Sequence, residues 1–256
     1  MNDPYACHIE NFGNMESEKP KGTVLITGSA KRIGRTLAIG LAHDGYGIAL
    51  HYRSSKKDAE AARLEIQDFG GRCELFQADL SQSNDVHQLI PRVVKTCPDL
   101  TILINNASLF QCKTFFETDE NVFDAHFDLN FKAPFFLTQQ FSQSVKKGQV
   151  IHLLDTKINK HSQYYFAYTL TKKVLYEFTK MAAKELGPHI RVNSVAPGLI
   201  LPSKSMSEDE FEKLGKRIPL QTTGRPEDIL SAVRFLIHHP FITGECIHVD
   251  GGEHLP

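Results

Sequence analysis

Short runs of consecutive apolar residues alternate along the chain with longer stretches in which apolar residues recur every three or four positions. GTVLITG (22–28), YGIALHY (46–52), CELFQADL (73–80), TILINNA (101–107), QVIHLLD (149–155), IRVNSVAPG (190–198) and ECIHVDGG (245–252) are of the first kind. Runs this short, rich in Val, Ile and Leu and bounded by Gly, Asn or Asp, predict strands buried on both faces. IGRTLAIGLAHDG (33–45) and KKDAEAARLEIQDFGG (56–71) are of the second kind, and each ends on glycine, a helix stop. Further helical stretches fill the remaining intervals. Strands separated by helices predict βαβ units. The expected fold is therefore α/β: one doubly wound Rossmann-type domain with a parallel sheet of about seven strands flanked by helices. Stretch 199–225 interrupts the alternation with Pro, Ser and charged residues. It reads as a substrate loop with a short helix rather than a linker, so no second domain is expected.

Composition narrows the class. A chain of 256 residues can bury one sizeable core, and a net charge of -1 offers no basic field for nucleic acid. The five cysteines (Cys7, Cys73, Cys97, Cys112 and Cys246) are scattered, odd in number and without a CxxC pair. That usage fits reduced thiols in a cytoplasmic protein. Twelve histidines stand without HExxH or comparable spacing, so no metal is expected. Residues 1–20 hold no apolar run, which argues against a secretory signal; they read as a disordered extension preceding a domain over 21–256. No later stretch approaches the roughly 20 apolar residues of a membrane span.

The chemistry begins at the first strand's end. TGSAKRIG (27–34) joins that strand to a helix, and a glycine-bearing turn there puts a helix N-terminus against a phosphate. Gly28 permits the tight turn and Gly34 the close helix approach. Arg32 stands where such a turn often carries another glycine. The second strand ends in HYRSS (51–55), without the carboxylate that binds ribose hydroxyls in NAD sites. Cations and hydroxyls suit a 2′-phosphate, so the expected cofactor is NADPH. Its expected contacts here are Gly28, Lys31, Arg32, Ile33 and Gly34, with His51, Arg53, Ser54 and Ser55.

DTKINKHSQYYFAYTLTKK (155–173) holds the candidate catalytic groups. Tyr168 and Lys172 are four apart and share a helix face, but so do Tyr176 and Lys180. Tyr164 and Tyr165 have no lysine four residues later. Asp155 closes a strand, and strand carboxyl ends face the crevice where open α/β sheets hold ligands. Tyr168 follows that crevice closely, whereas Tyr176 lies two turns further on.

In this order TGSAKRIG, ADL (78–80), NNAS (105–108), Asn130, YTLTK (168–172) and APG (196–198) resemble the short-chain dehydrogenase/reductase family over about residues 22–253. The resemblance implies that Tyr168 is the acid and that Lys172 lowers its pKa and holds the nicotinamide ribose. It implies that Asn130 helps organise a proton relay and that Asp79, beside Leu80, contacts adenine. It further implies that Asn105, Asn106, Ala107 and Ser108 line the cofactor, that Pro197 and Gly198 flank the nicotinamide, and that the assembly is a homotetramer.

Asp155 departs from the family pattern, which places a serine 13 residues before the tyrosine. An ionised carboxylate repels the oxyanion that forms when a ketone is reduced. Beside a C=N acceptor it favours protonation of the nitrogen. With Arg32 in the glycine turn, Asp155 resembles the pteridine reductase subgroup, including short-chain-type dihydromonapterin and dihydrofolate reductases. HYRSS, NNASLF and the DGGEHLP ending agree. The resemblance implies that Phe110 sandwiches a pterin against nicotinamide, with Asp155 and Tyr168 also contacting it. Ile200 departs, being apolar where some members of the subgroup carry serine. The leading expectation is an NADPH-dependent reductase of a small dihydropterin or dihydrofolate. The alternatives are a ketone or 3-oxoacyl reductase, and an NADPH-binding regulator without turnover.

Overall fold

The apolar runs pair side by side in one sheet. The computed structural model of the chain describes residues 21–161, 163–203 and 206–256; the expected extension over 1–20 lies outside the described residues. The strands are β1 (Thr23–Ile26), β2 (Gly47–Tyr52), β3 (Cys73–Gln77), β4 (Leu100–Asn105), β5 (Gly148–Leu153), β6 (Ile190–Pro197) and β7 (Cys246–Val249). Their order is β3-β2-β1-β4-β5-β6-β7, every neighbouring pair parallel. The helices are α1 (Arg32–His43), α2 (Lys56–Asp68), α3 (Ser83–Thr96), α4 (Glu120–Phe127), α5 (Ala133–Ser144), α6 (Phe166–Leu186), α7 (Glu208–Gly215) and α8 (Pro226–His238). A π-helical turn, Asp128–Lys132, joins α4 to α5, and a 3-10 turn, Thr156–Asn159, follows β5.

Side chains alternate across each strand, so one run feeds two cores. Val24 and Ile26 pack with Ile48, Leu50, Leu37, Leu41 and Leu230 under α1, α2 and α8. Leu25 points the other way, to Leu103, Val150, Leu89, Ile90 and Phe141 under α3, α5 and α6. With both faces covered, the strands read as continuous apolar runs. No helix among the described residues is long and apolar enough to cross a membrane.

The sheet order reverses between β1 and β4. Turns leaving neighbouring strands there part to opposite faces and leave a crevice at the carboxyl edge. The turns after β1, β4, β5 and β6 open onto it.

Two of the buried histidines lie on strands of the sheet. His51, 2% exposed, accepts the Gly28 N–H on Nδ1 at 2.9 Å and faces the Ala78 carbonyl with Nε2 at 3.1 Å. His152, 0% exposed, meets the Asn105 amide at 3.2 Å. Burial drives the two pKa values down, to about 4 for His51 and about 3 for His152. Both histidines are therefore neutral in the folded state at pH values where the unfolded chain protonates them. Their folded pKa values lie below the unfolded one, so this stability is present above about pH 6.5 and is lost as pH falls toward 4. Between pH 6.5 and 5, above the carboxylate range, the expected loss is on the order of 2 kcal/mol per histidine. Urea titrations at pH 7 and pH 5 check it; equal midpoints would remove the argument.

Candidate active site

The turn after β1 is built for close approach. Gly28 has φ +65°, and a Cβ there would stand 3.1 Å from the Ala107 Cα. A Cβ on Gly34 would meet the Gly28 carbonyl oxygen at 2.5 Å and the Asn106 amide at 2.6 Å. Arg32 takes the left-handed region as well, at φ 54°. A non-glycine residue held there costs about 1–3 kcal/mol, so the missing glycine leaves its conformation behind. The Gly28 N–H points inward to His51, which makes His51 a brace of the turn from below. Thr27 Oγ1 accepts the N–H groups of Asn106 and Ala107, each at 2.9 Å, and binds this turn to the one after β4.

The turns surround a cleft of about 820 Å³. Of the residues expected at a cofactor, Gly28, Lys31, Arg32, Ile33, Gly34, His51, Arg53, Leu80, Asn106, Ala107, Ser108, Lys172, Pro197 and Gly198 line it. Ser54, Ser55, Asp79 and Asn105 are not part of the lining. The Asp79 carboxylate turns onto its own loop, accepting from the Ser81 N–H at 3.0 Å and hydroxyl at 2.8 Å. Asn105 is buried and faces Thr138 and His152. The three cations expected at a 2′-phosphate differ in engagement. Lys31 pairs with Asp58 at 2.9 Å, and Arg32 donates to the Pro202 carbonyl at 2.9 Å. Arg53 makes no ion pair among the described residues.

Asp155 lies two residues beyond the end of β5, as the cap of the 3-10 turn. Its Oδ1 accepts the Lys157 backbone N–H at 2.8 Å. Its Oδ2 accepts the Tyr168 hydroxyl at 2.8 Å. Tyr168 is the third residue of α6, and Lys172, one turn on, reaches back to donate to the Leu153 carbonyl at 2.7 Å. Burial pulls Lys172 down to about 8, against the opposing pull of Asp155. Tyr168 goes well above the usual tyrosine value because it is buried and because Asp155 adds its charge and hydrogen bond. Both influences, burial first and the Asp155 carboxylate second, act against the lowering that the family resemblance implies for Tyr168. Tyr176 faces away, stacked under Lys180 at 4.2 Å, and does not line the cleft.

Asn130 braces the turn after β4. It is 1% exposed and lies in the π-helical turn. Its side chain accepts from the Leu109 N–H at 2.7 Å and donates to the Leu109 carbonyl at 2.9 Å and to Thr171 at 3.3 Å. The amide pins the segment that carries Ser108 and Phe110, and the Ser108 hydroxyl, at the cleft wall, donates to the Asn130 Oδ1 at 3.2 Å. Phe110 stacks on Tyr165 at 4.3 Å and 11°, and meets the Tyr168 ring edge-on at 4.7 Å. Tyr165 is thus a wall of the site, although no lysine four residues later marks it. Lys157, Lys160 and Glu253 line the cleft too, as do Met206, Phe211 and Ile218 from the 199–225 segment. Ile200 lines it as well and is buried in the core beneath.

The profile of the family described as enoyl-(acyl carrier protein) reductase matches residues 28–254. A 3-oxoacyl-(acyl-carrier-protein) reductase, FabG, of Staphylococcus epidermidis is 32% identical over 241 residues, covering 91% of this chain and 99% of that protein. A short-chain dehydrogenase/reductase of Armillaria gallica is 32% identical over 249 residues, 89% of this chain and 94% of its own. Among solved structures, FolM alternative dihydrofolate reductase 1 from Brucella suis, in complex with NADP, superposes with a TM-score of 0.89 at 34% identity. It covers 93% of this chain and 96% of its own.

Proposed function

The chain belongs to the short-chain dehydrogenase/reductase family, and from that premise we propose that it is an NADPH-dependent reductase of dihydropterins, with hydride delivered to a ring C=N. The carrying observation is the Asp155 carboxylate, 2.8 Å from the Tyr168 hydroxyl at the edge of the cleft. A carboxylate facing the reacting atom opposes a growing oxyanion and favours a nitrogen that is gaining a proton. The likeness to the FolM dihydrofolate reductase supports the same substrate class.

The cleft fits the cofactor. Glycines stand where any Cβ would collide, and seven cationic side chains against two carboxylates line a space of about 820 Å³. Gly28, Gly34, Asn106, Ala107, Pro197 and Gly198 would hold NADPH along its length, with Lys172 at the nicotinamide ribose and Arg53 at the 2′-phosphate. When bound, the cofactor supplies the hydride. Tyr168 holds the proton to be delivered, and its raised pKa keeps the hydroxyl protonated through the neutral range. Asp155 orients that hydroxyl and stabilises positive charge at the ring nitrogen. Phe110 offers a ring face to a flat heterocycle, where stacking is worth about 0.5–1.5 kcal/mol.

Arg53 sets the cofactor preference on this reading, since Lys31 and Arg32 already have partners. Losing a charge-assisted contact costs about 1.5–3 kcal/mol. Arg53→Ala is expected to erode the preference for NADPH over NADH by about tenfold or more, read from dissociation constants for both cofactors. Equal affinities in the unmodified protein would defeat the assignment.

The sequence likeness to FabG favours a second reading, reduction of a 3-oxoacyl thioester. NADPH oxidation with dihydromonapterin, dihydrobiopterin, dihydrofolate and a 3-oxoacyl thioester decides between the two. Turnover of the thioester alone would overturn the dihydropterin proposal.

A further inference from the structure

Lys157 has no part in the chemistry described so far, yet it lines the cleft beside Asp155, Phe110 and Tyr165. It is the second residue of the 3-10 turn capped by Asp155. Its side chain folds back over that turn, 22% exposed, and brings Nζ within 3.5 Å of Asp155 Oδ1. The same ammonium lies 5.4 Å from the ring centroids of both Phe110 and Tyr165. An ammonium has three donors, and Asp155 engages one direction only. A donor and an acceptor thus stand side by side at the edge of an aromatic wall: the Lys157 ammonium, and the carboxylate that holds the Tyr168 hydroxyl.

On the dihydropterin reading, we propose that Lys157 is a specificity-determining residue that donates to the ring carbonyl adjacent to the nitrogen being protonated, so that the site accepts 4-oxo pteridines and rejects 4-amino ones. Asp155 Oδ2 and the Tyr168 hydroxyl mark where that nitrogen receives its proton. In a pterin, the C=N nitrogen and the oxygen at C4 lie on one edge of the fused rings. Once protonated, that edge is a donor beside an acceptor, the complement of a carboxylate beside an ammonium. A 4-amino group brings N–H donors against the ammonium instead, so Lys157 loses its acceptor at that position. A 3-oxoacyl chain has no such edge, so Lys157 also separates the two substrate classes considered above.

The test is a fluorescence titration of the NADPH complex with pterin (2-amino-4-oxopteridine) and with 2,4-diaminopteridine, in the unmodified protein, Lys157→Met and Lys157→Arg. The unmodified protein should bind the 4-oxo ring about tenfold or more tightly than the 4-amino ring, the range expected for one hydrogen bond to a charged group. Lys157→Met should bring the two within about twofold, and Lys157→Arg, which keeps a cationic donor, should retain most of the preference. An unchanged ratio in Lys157→Met overturns the inference, even if the pH dependence of turnover moves, because that residue would then act only on Asp155. A preference for the diamino ring in the unmodified protein overturns it as well. Dihydropterin turnover by the unmodified protein is measured alongside. Its absence removes the functional reading and this inference together, whereas turnover with an unchanged ratio removes the inference alone.

Discussion

Tyr168→Phe is expected to lower kcat for a dihydropterin by about 10²-fold or more while NADPH still binds. The ring is buried and packs edge-on against Phe110, so the substitution keeps the volume and the aromatic contact. What it removes is one hydroxyl, and with it the donor to Asp155 Oδ2. Because burial and Asp155 hold that hydroxyl well above the usual tyrosine value, it stays a proton donor across the neutral range. An alkaline decline near pH 8 therefore reports Lys172, brought down to about 8 by burial, rather than Tyr168. Tyr176→Phe is the control, since that ring lies under Lys180 and away from the cleft. Comparable losses in both variants would show that Tyr168 is not the donor.

Asp155→Ser should produce the second large effect. Serine is also a good helix cap, so the 3-10 turn keeps an acceptor for the Lys157 N–H and the fold should persist. The charge is lost, and with it the stabilisation of a protonated ring nitrogen. A catalytic proton-handling group contributes about 10²–10⁴-fold, so kcat/KM for a dihydropterin should fall by about 10²-fold or more. A hydroxyl now faces the reacting atom and can donate to an oxyanion, so weak reduction of a ketone should appear. Both specificity constants need measuring in both proteins. Unchanged dihydropterin turnover would make Asp155 a turn cap alone and remove the substrate assignment built on it.

The fold was legible because both faces of the sheet's centre are covered, which turns β1, β2, β4 and β5 into apolar runs. The strand ends were not equally legible. CELFQADL reads as a strand to Leu80, but β3 stops at Gln77; QVIHLLD reads to Asp155, but β5 stops at Leu153; ECIHVDGG reads to Gly252, but β7 stops at Val249. Most overruns lie at carboxyl ends, where apolar residues such as Leu80 and Leu154 leave the sheet to line the cleft. Local patterning cannot separate burial in a sheet from burial under a ligand site. Asp155, Tyr168 and Lys172 could be found because helix spacing and strand ends fix their relation. Tyr165 could not, because its role depends on stacking with Phe110, 55 positions away in the chain. Asn130 was found by position, but its commitment to Leu109 depends on a π-helical turn that no spacing announces. Lys157 stood two residues after Asp155, and only the tight 3-10 turn folds its ammonium back to the carboxylate.

The sheet order also governs when the cleft comes into being. Ile102 of β4 pairs with Gln149 and Val24 of β1 with Ile102, while Gly148 of β5 pairs with Ile190. Each pairing closes a loop of some forty to eighty residues, and the entropy of that closure is lost before any contact compensates it. Helices such as α6 can form on their own timescale, but the turns after β1, β4, β5 and β6 meet only once these distant strands have zipped together. No fragment short of nearly the whole domain carries a cofactor site. NADPH therefore has nothing to hold in the early stages of refolding, and its binding energy stabilises the completed sheet as one cooperative unit rather than any one part of it.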